Sequence, residues 1–93
     1  MGAGGTVVVD DGARQALMER QRSLLPAGVV AVEGSFSADD AVEIAGTDGR
    51  VFAKGLVRHP AARIKEWAGQ RTATLPPDLP HEVVHRDDLV MLP

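Results

Sequence analysis

The sequence predicts a mostly β, α+β domain, a small pseudo-barrel carrying two short helices. Three observations lead there. The chain has 93 residues, enough for one compact core. Its apolar segments are short β-branched runs separated by Gly, Pro and Asp, the pattern of brief strands and tight turns. Its aromatic residues are only Phe36, Phe52 and Trp67, so the core must be built from Val, Leu, Ile and Ala. A sheet assembled from such strands has to hide its edges, and curling on itself achieves that.

Taken in order, Met1 to Gly5 is side-chain-poor and reads as an interdomain linker or an expression remnant, leaving 6–93 as the domain. Thr6-Val7-Val8-Val9 reads as a buried strand. Asp10 or Asp11 then supplies an N-cap, because a short carboxylate accepts from the unpaired amides of a first helical turn. Ala13, Ala16 and Leu17 form the inward stripe of a helix over about 11–21, with Arg14, Gln15, Glu19 and Arg22 outside. Leu25-Pro26 ends that region, and Gly28 allows a turn into Val29 to Val32, a strand expected to be buried on both faces.

Ala41 to Ala45 alternates with period two, placing Val42 and Ile44 on one side. Asp48-Gly49 predicts a hairpin whose two central residues both take positive φ, and the returning strand runs from about Arg50 to Arg58. Pro60 fits the first turn of a second helix with an apolar stripe of Ile64, Trp67 and Ala68, ended by Gly69. Thr72 to Pro80, rich in proline, reads as a loop. Glu82 to His85 and Leu89 to Leu92 read as two closing strands around a polar turn.

The totals exclude several classes. Without cysteine there is no disulfide framework and no thiolate metal site, which is compatible with a cytoplasmic location. No apolar run approaches the roughly 20 residues of a membrane helix, so no membrane partner is expected. A net charge of -3 argues against capture of nucleic acid by the whole surface and leaves room only for a local basic patch.

Four stretches taken together resemble the PUA domain that ends bacterial glutamate 5-kinases. They are Thr6 to Ala13, Ser23-Leu24-Leu25-Pro26-Ala27-Gly28-Val29, Val32 to Phe36, and Val84-His85-Arg86-Asp87-Asp88-Leu89. Phe36-Ser37-Ala38-Asp39-Asp40-Ala41-Val42 resembles a general PUA stretch, with Asp39 where glycine is usual, a place where Asp can still take a left-handed turn conformation at some cost. His59 to Ala62 and the proline-rich Leu75 to Pro80 depart from the family pattern.

The resemblance implies a PUA-like pseudo-barrel that is an accessory and regulatory element. The parent enzyme would transfer phosphate from ATP, with Mg²⁺, to the γ-carboxylate of glutamate in the first step of proline synthesis. That chemistry belongs to a kinase domain of the same polypeptide. This stretch itself would hold no catalytic residue, metal or cofactor, and a homo-oligomer is a further possible partner arrangement. Relatives in tRNA-modifying enzymes bind RNA, which makes RNA the alternative partner.

His81-Glu82-Val83-Val84-His85 spells a zinc-protease motif, H-E-x-x-H, which on a helix brings two imidazoles to one metal ion. On a strand, as Val83-Val84 favour here, the two histidines stand about 13 Å apart and cannot share an ion. The Gly2 to Gly5 run lacks the Lys-Ser/Thr that completes a phosphate loop. Asp10-Asp11, Asp39-Asp40 and Asp87-Asp88 all read as caps or turns rather than Mg²⁺ ligands. The remaining candidate is a phosphate-tracking stripe of Arg14, Arg20, Arg22, Lys54 and Arg86, with Gly28 allowing close approach of a ligand to the backbone. Trp67, on a helical stripe, is assigned to the core.

Overall fold

The computed structural model describes residues 4–20, 22–77 and 80–92. Met1 to Ala3 of the expected linker, Gln21 at the expected helix end, and Asp78 and Leu79 of the expected loop lie outside the described residues. The elements run β1 (Gly5–Val9), α1 (Asp11–Arg20), a 3-10 turn (Pro26–Gly28), β2 (Val29–Gly34), β3 (Ala41–Ala45), β4 (Val51–Val57), α2 (Ala61–Trp67), a second 3-10 turn (Thr72–Thr74) and β5 (Val84–Met91).

The strands form one sheet in the order β2-β1-β3-β4-β5, antiparallel except for the parallel β1 and β3 pair. A bridge between Leu24 and Val84 ties the segment ahead of β2 to β5, so the two ends of the sheet approach each other. The Leu24 amide donates to the Val84 carbonyl at 2.9 Å, and the Val83 amide donates to the Leu24 carbonyl at 2.7 Å. The result is the pseudo-barrel the sequence predicts. Its interior is filled by Val7, Val9, Leu17, Leu24, Val42, Ile44, Phe52, Val57, Ile64, Val83 and Val84, all buried.

Local chemistry explains most boundaries. Asp10 is the cap of α1: its Oδ1 accepts from the Ala13 amide at 2.7 Å. Leu17 is the buried anchor of that helix, flanked by half-buried Ala13 and Ala16. Asp39 has φ +72°, the left-handed geometry expected of it, and its amide donates to the Val57 carbonyl. Pro60 precedes the first turn of α2, and Gly69 closes the helix at φ +78°.

Four expectations require correction. The Val29 to Val32 strand is not buried on both faces: Val29 faces the core, while the next side chain points to the opposite face and leaves Val30 55% exposed. The Asp48-Gly49 turn has one positive φ rather than two: Gly49 alone adopts it, at +83°. The Gly49 amide donates to the Gly46 carbonyl and the Gly46 amide to the Arg50 carbonyl, which makes a three-residue loop ending in a left-handed glycine.

The two expected closing strands are a single strand, β5. The polar stretch between them is taken up by an irregularity: Gly55 pairs with Leu89 and Val57 with Val84, so two steps along β4 match five along β5. The additional residues are accommodated as a bulge instead of a turn. Asp87 and Asp88 therefore sit within a strand and not at a turn.

Candidate functional site

The C-terminal end of α1, the segment Arg22 to Leu25 and the start of β5 converge because Leu24 bridges to Val84. One residue before the bridge, the Ser23 hydroxyl accepts from the Arg86 backbone amide at 3.1 Å. These two links hold open a cleft of about 750 Å3 whose lining includes Arg20, Arg22, Ser23, His81, Glu82, His85 and Arg86. Arg20 ends α1, where a cation complements the helix dipole.

The cleft is not uniformly basic. His85 stands between Glu82, at 3.7 Å, and Asp87, at 3.5 Å, and the Asp87 amide donates to His85 Nδ1. Arg86 Nε lies 4.0 Å from Asp87. Among the described residues, no ion pair to Arg20 or Arg22 occurs. Two guanidiniums thus face the cleft with their charge available to an anionic ligand, while the third is shared with a carboxylate.

Three of the six candidate residues, Arg20, Arg22 and Arg86, are brought together here. The others are elsewhere. Arg14 points toward the β3–β4 loop, 3.7 Å from Asp48, with its guanidinium 5.3 Å from the centroid of Phe52. Lys54 is exposed on β4, opposite Glu43 of β3 and Val90 of β5. Gly28 packs against α1: a Cβ there would stand 2.5 Å from Ala13 Cβ, so its lack of a side chain serves the helix contact.

Sequence reasoning missed Ser23, His81 and Glu82 as cleft residues. Ser23 carried a signal, since it opens the quoted Ser-Leu-Leu-Pro stretch. Outside the H-E-x-x-H spelling His81 carried no signal, and its Nε2–H donates to the Pro76 carbonyl at 2.6 Å while its ring lies 6.2 Å from that of Trp67. His85 is on β5 and turned to Glu82 and Asp87, so the H-E-x-x-H spelling does not produce a two-histidine metal geometry. Asp48, away from the cleft, has its carboxyl held below its ordinary value of 3.8. The Arg50 backbone amide donating to it is the main cause, with Arg14 adding a smaller attraction.

Comparison with known proteins places these features in context. The PUA domain model matches residues 5–76. Glutamate 5-kinase of Streptomyces avermitilis is 49% identical over 92 residues, which are 95% of this chain and 24% of that relative. Glutamate 5-kinase of Myxococcus xanthus is 46% identical over 94 residues, covering 97% of this chain and 25% of the relative. Among solved structures, a PUA domain from Aeropyrum pernix in complex with tartrate superposes with a TM-score of 0.64 at 28% identity, over 91% of this chain and 45% of that one. A conserved PUA domain protein from Thermoplasma acidophilum has a TM-score of 0.60 at 21% identity, over 86% of this chain and 47% of that one, a likeness of fold alone.

Proposed function

Because the chain belongs to the PUA domain family and spans about a quarter of the length of the curated relatives it matches, we propose that it is the non-catalytic accessory domain of a glutamate 5-kinase. The carrying observation is near-complete coverage of this chain, 95%, at 49% identity by one part of such an enzyme. On this reading the phosphoryl transfer from ATP to glutamate, with its Mg²⁺, is performed by a kinase domain of the same cytoplasmic polypeptide, and this domain tunes that activity or the oligomer. The test compares the full enzyme with and without residues 5–92 in glutamate- and ATP-dependent ADP formation, inhibition by proline, and oligomeric state. A difference in at least one is expected, and no change in any of the three rejects the role.

The second reading is RNA binding at the arginine cleft, favoured by Arg20, Arg22 and Arg86 lining one surface. Two observations weigh against it. Phe36, Phe52 and Trp67 are all buried, so they offer no platform for base stacking. Glu82 and Asp87 stand among the basic groups, where they repel phosphates. Titration of the protein with tRNA at low and high salt decides: salt-sensitive binding that Arg20→Ala and Arg22→Ala weaken supports this reading, and absence of binding at low salt removes it.

A further inference from the structure

A second groove, of about 300 Å3, runs between α1 and β5 and is lined by Leu17, Met18, Leu89 and Met91 with Arg86 among them. Arg86 also lines the arginine cleft, so the apolar groove and the basic cleft adjoin at that residue. Met18 is 50% and Met91 38% exposed, large apolar side chains facing solvent in the groove that Arg86 shares with the arginine cleft. Leu25, 43% exposed, adds to the apolar border of the cleft. Half of the exposed large hydrophobics among the described residues thus surround one basic surface on a chain of net charge -3.

A site with this composition matches a partner that is acidic at one point and aliphatic at the next. Methionine is unbranched and polarizable, so Met18 and Met91 adapt to an inserted aliphatic side chain. Arg20 and Arg22 offer paired N–H donors suited to carboxylates. Nucleic acid fits less well: the groove has no aromatic face for a base, and Glu82 and Asp87 interrupt the positive charge that a run of phosphates requires.

Given the accessory-domain reading, on which this inference rests, the occupant comes from the polypeptide outside this domain, about three quarters of relatives of which the match spans 24%. We propose that the α1–β5 groove and the arginine cleft together dock an acidic segment bearing an aliphatic side chain, contributed by the kinase domain of the same polypeptide. The aliphatic side chain lies against Met18 and Met91, and its neighbouring carboxylates meet Arg20, Arg22 and Arg86.

The test is methionine oxidation in the full-length enzyme, treated with nuclease and exposed to dilute hydrogen peroxide with free methionine as the internal reference. Peptide mass spectrometry reads Met18 and Met91 separately. Both should oxidise roughly five-fold or more slowly than free methionine, and come within about two-fold of it in the Arg20→Glu, Arg86→Glu enzyme. Since charge reversal can unsettle folding, the wild-type enzyme is also measured in about 1 M NaCl, where the same loss of protection is expected.

Free oxidation of both methionines in the wild type overturns the proposal. So does protection that survives both charge reversal and salt. Protection present in a parallel sample without nuclease and absent after nuclease identifies RNA as the occupant, and protection that fades on dilution identifies a second copy of the chain; either also overturns it. The underlying reading fails separately, through the domain-deletion comparison. If deletion alters proline inhibition while both methionines oxidise freely, the accessory role stands and this docking surface is wrong.

Discussion

The imidazole of His59 meets the indole of Trp67 edge to face, with ring centroids 4.8 Å apart at an interplanar angle of 66°. His59 is 4% exposed, and its Nε2–H donates to the Pro80 carbonyl at 2.7 Å. His81, its ring 6.2 Å from the indole, donates to the Pro76 carbonyl. Two histidines and one tryptophan thereby fasten the proline-rich segment, which has few backbone amides of its own, to the end of α2.

His59→Ala removes both the contact with Trp67 and the donor to Pro80. A loss of about 1–3 kcal/mol is expected, since a buried hydrogen bond and part of a packed ring disappear together. Urea unfolding followed by Trp67 fluorescence measures it, and the native emission should shift to longer wavelength as water reaches the indole. An unchanged midpoint and spectrum would show that the staple contributes nothing.

The left-handed backbone at Asp39 makes opposite predictions for two substitutions. Asp39→Gly relieves the side-chain cost of positive φ and should raise stability by roughly 0.5 kcal/mol after the entropy of the unfolded glycine is counted. Asp39→Val places a β-branched residue where it is strained and should lower stability by about 1–3 kcal/mol. Denaturation midpoints of the pair test the assignment, and it fails if valine is tolerated as well as glycine.

Gly28 and Ala13 should behave as a coupled pair, because a Cβ on Gly28 would collide with that of Ala13. Gly28→Ala alone is expected to cost about 1–3 kcal/mol through overpacking. Ala13→Gly, in a helix, costs about 1 kcal/mol. The double substitution should cost clearly less than the two combined, which a double-mutant cycle reads directly. Strict additivity would return Gly28 to the list of ligand-facing positions.

Asp48 gives the pH dependence a sign. Its carboxyl is held below 3.8 by the Arg50 amide and then by Arg14, so the ionised form is favoured in the folded state. The resulting stability is present above the unfolded value and is lost as pH falls through the lower folded one. In Asp48→Asn the decline of the denaturation midpoint below pH 3.8 should therefore be shallower than in the wild type. Parallel curves for the two proteins would remove Asp48 from the acid response.

Features governed by neighbouring residues were legible in the sequence. Asp10 caps α1, Val42 and Ile44 share a face, and Gly69 ends α2, each by rules that act within a few residues. What depended on distant strands was not. The exposure of Val30 follows from its pointing to the outer face of the sheet, away from the core, and the fusion of two expected strands into β5 follows from a register offset against β4. The candidate stripe divided for the same reason: Leu24 pairing with Val84 gathers Arg20, Arg22 and Arg86, while Arg14 and Lys54 sit on other faces. His59 gave no signal, since an isolated histidine before a proline reads as a surface residue until its partner loop is located.

The offset in β5 also bears on strand-to-strand addition at the margin of the sheet. A regular strand at the margin of a sheet is a template onto which another molecule can add, and uninterrupted addition of that kind leads to fibrils. In β5 the bulged stretch carries Arg86, Asp87 and Asp88, which break the flat run of amides and carbonyls and place charge where an incoming strand would lie. Replacing Asp87 and Asp88 by threonine should therefore leave the monomer folded and yet shorten the lag before thioflavin-positive aggregates form. A polar bulge on a marginal strand thereby works against the addition of a further strand to the sheet.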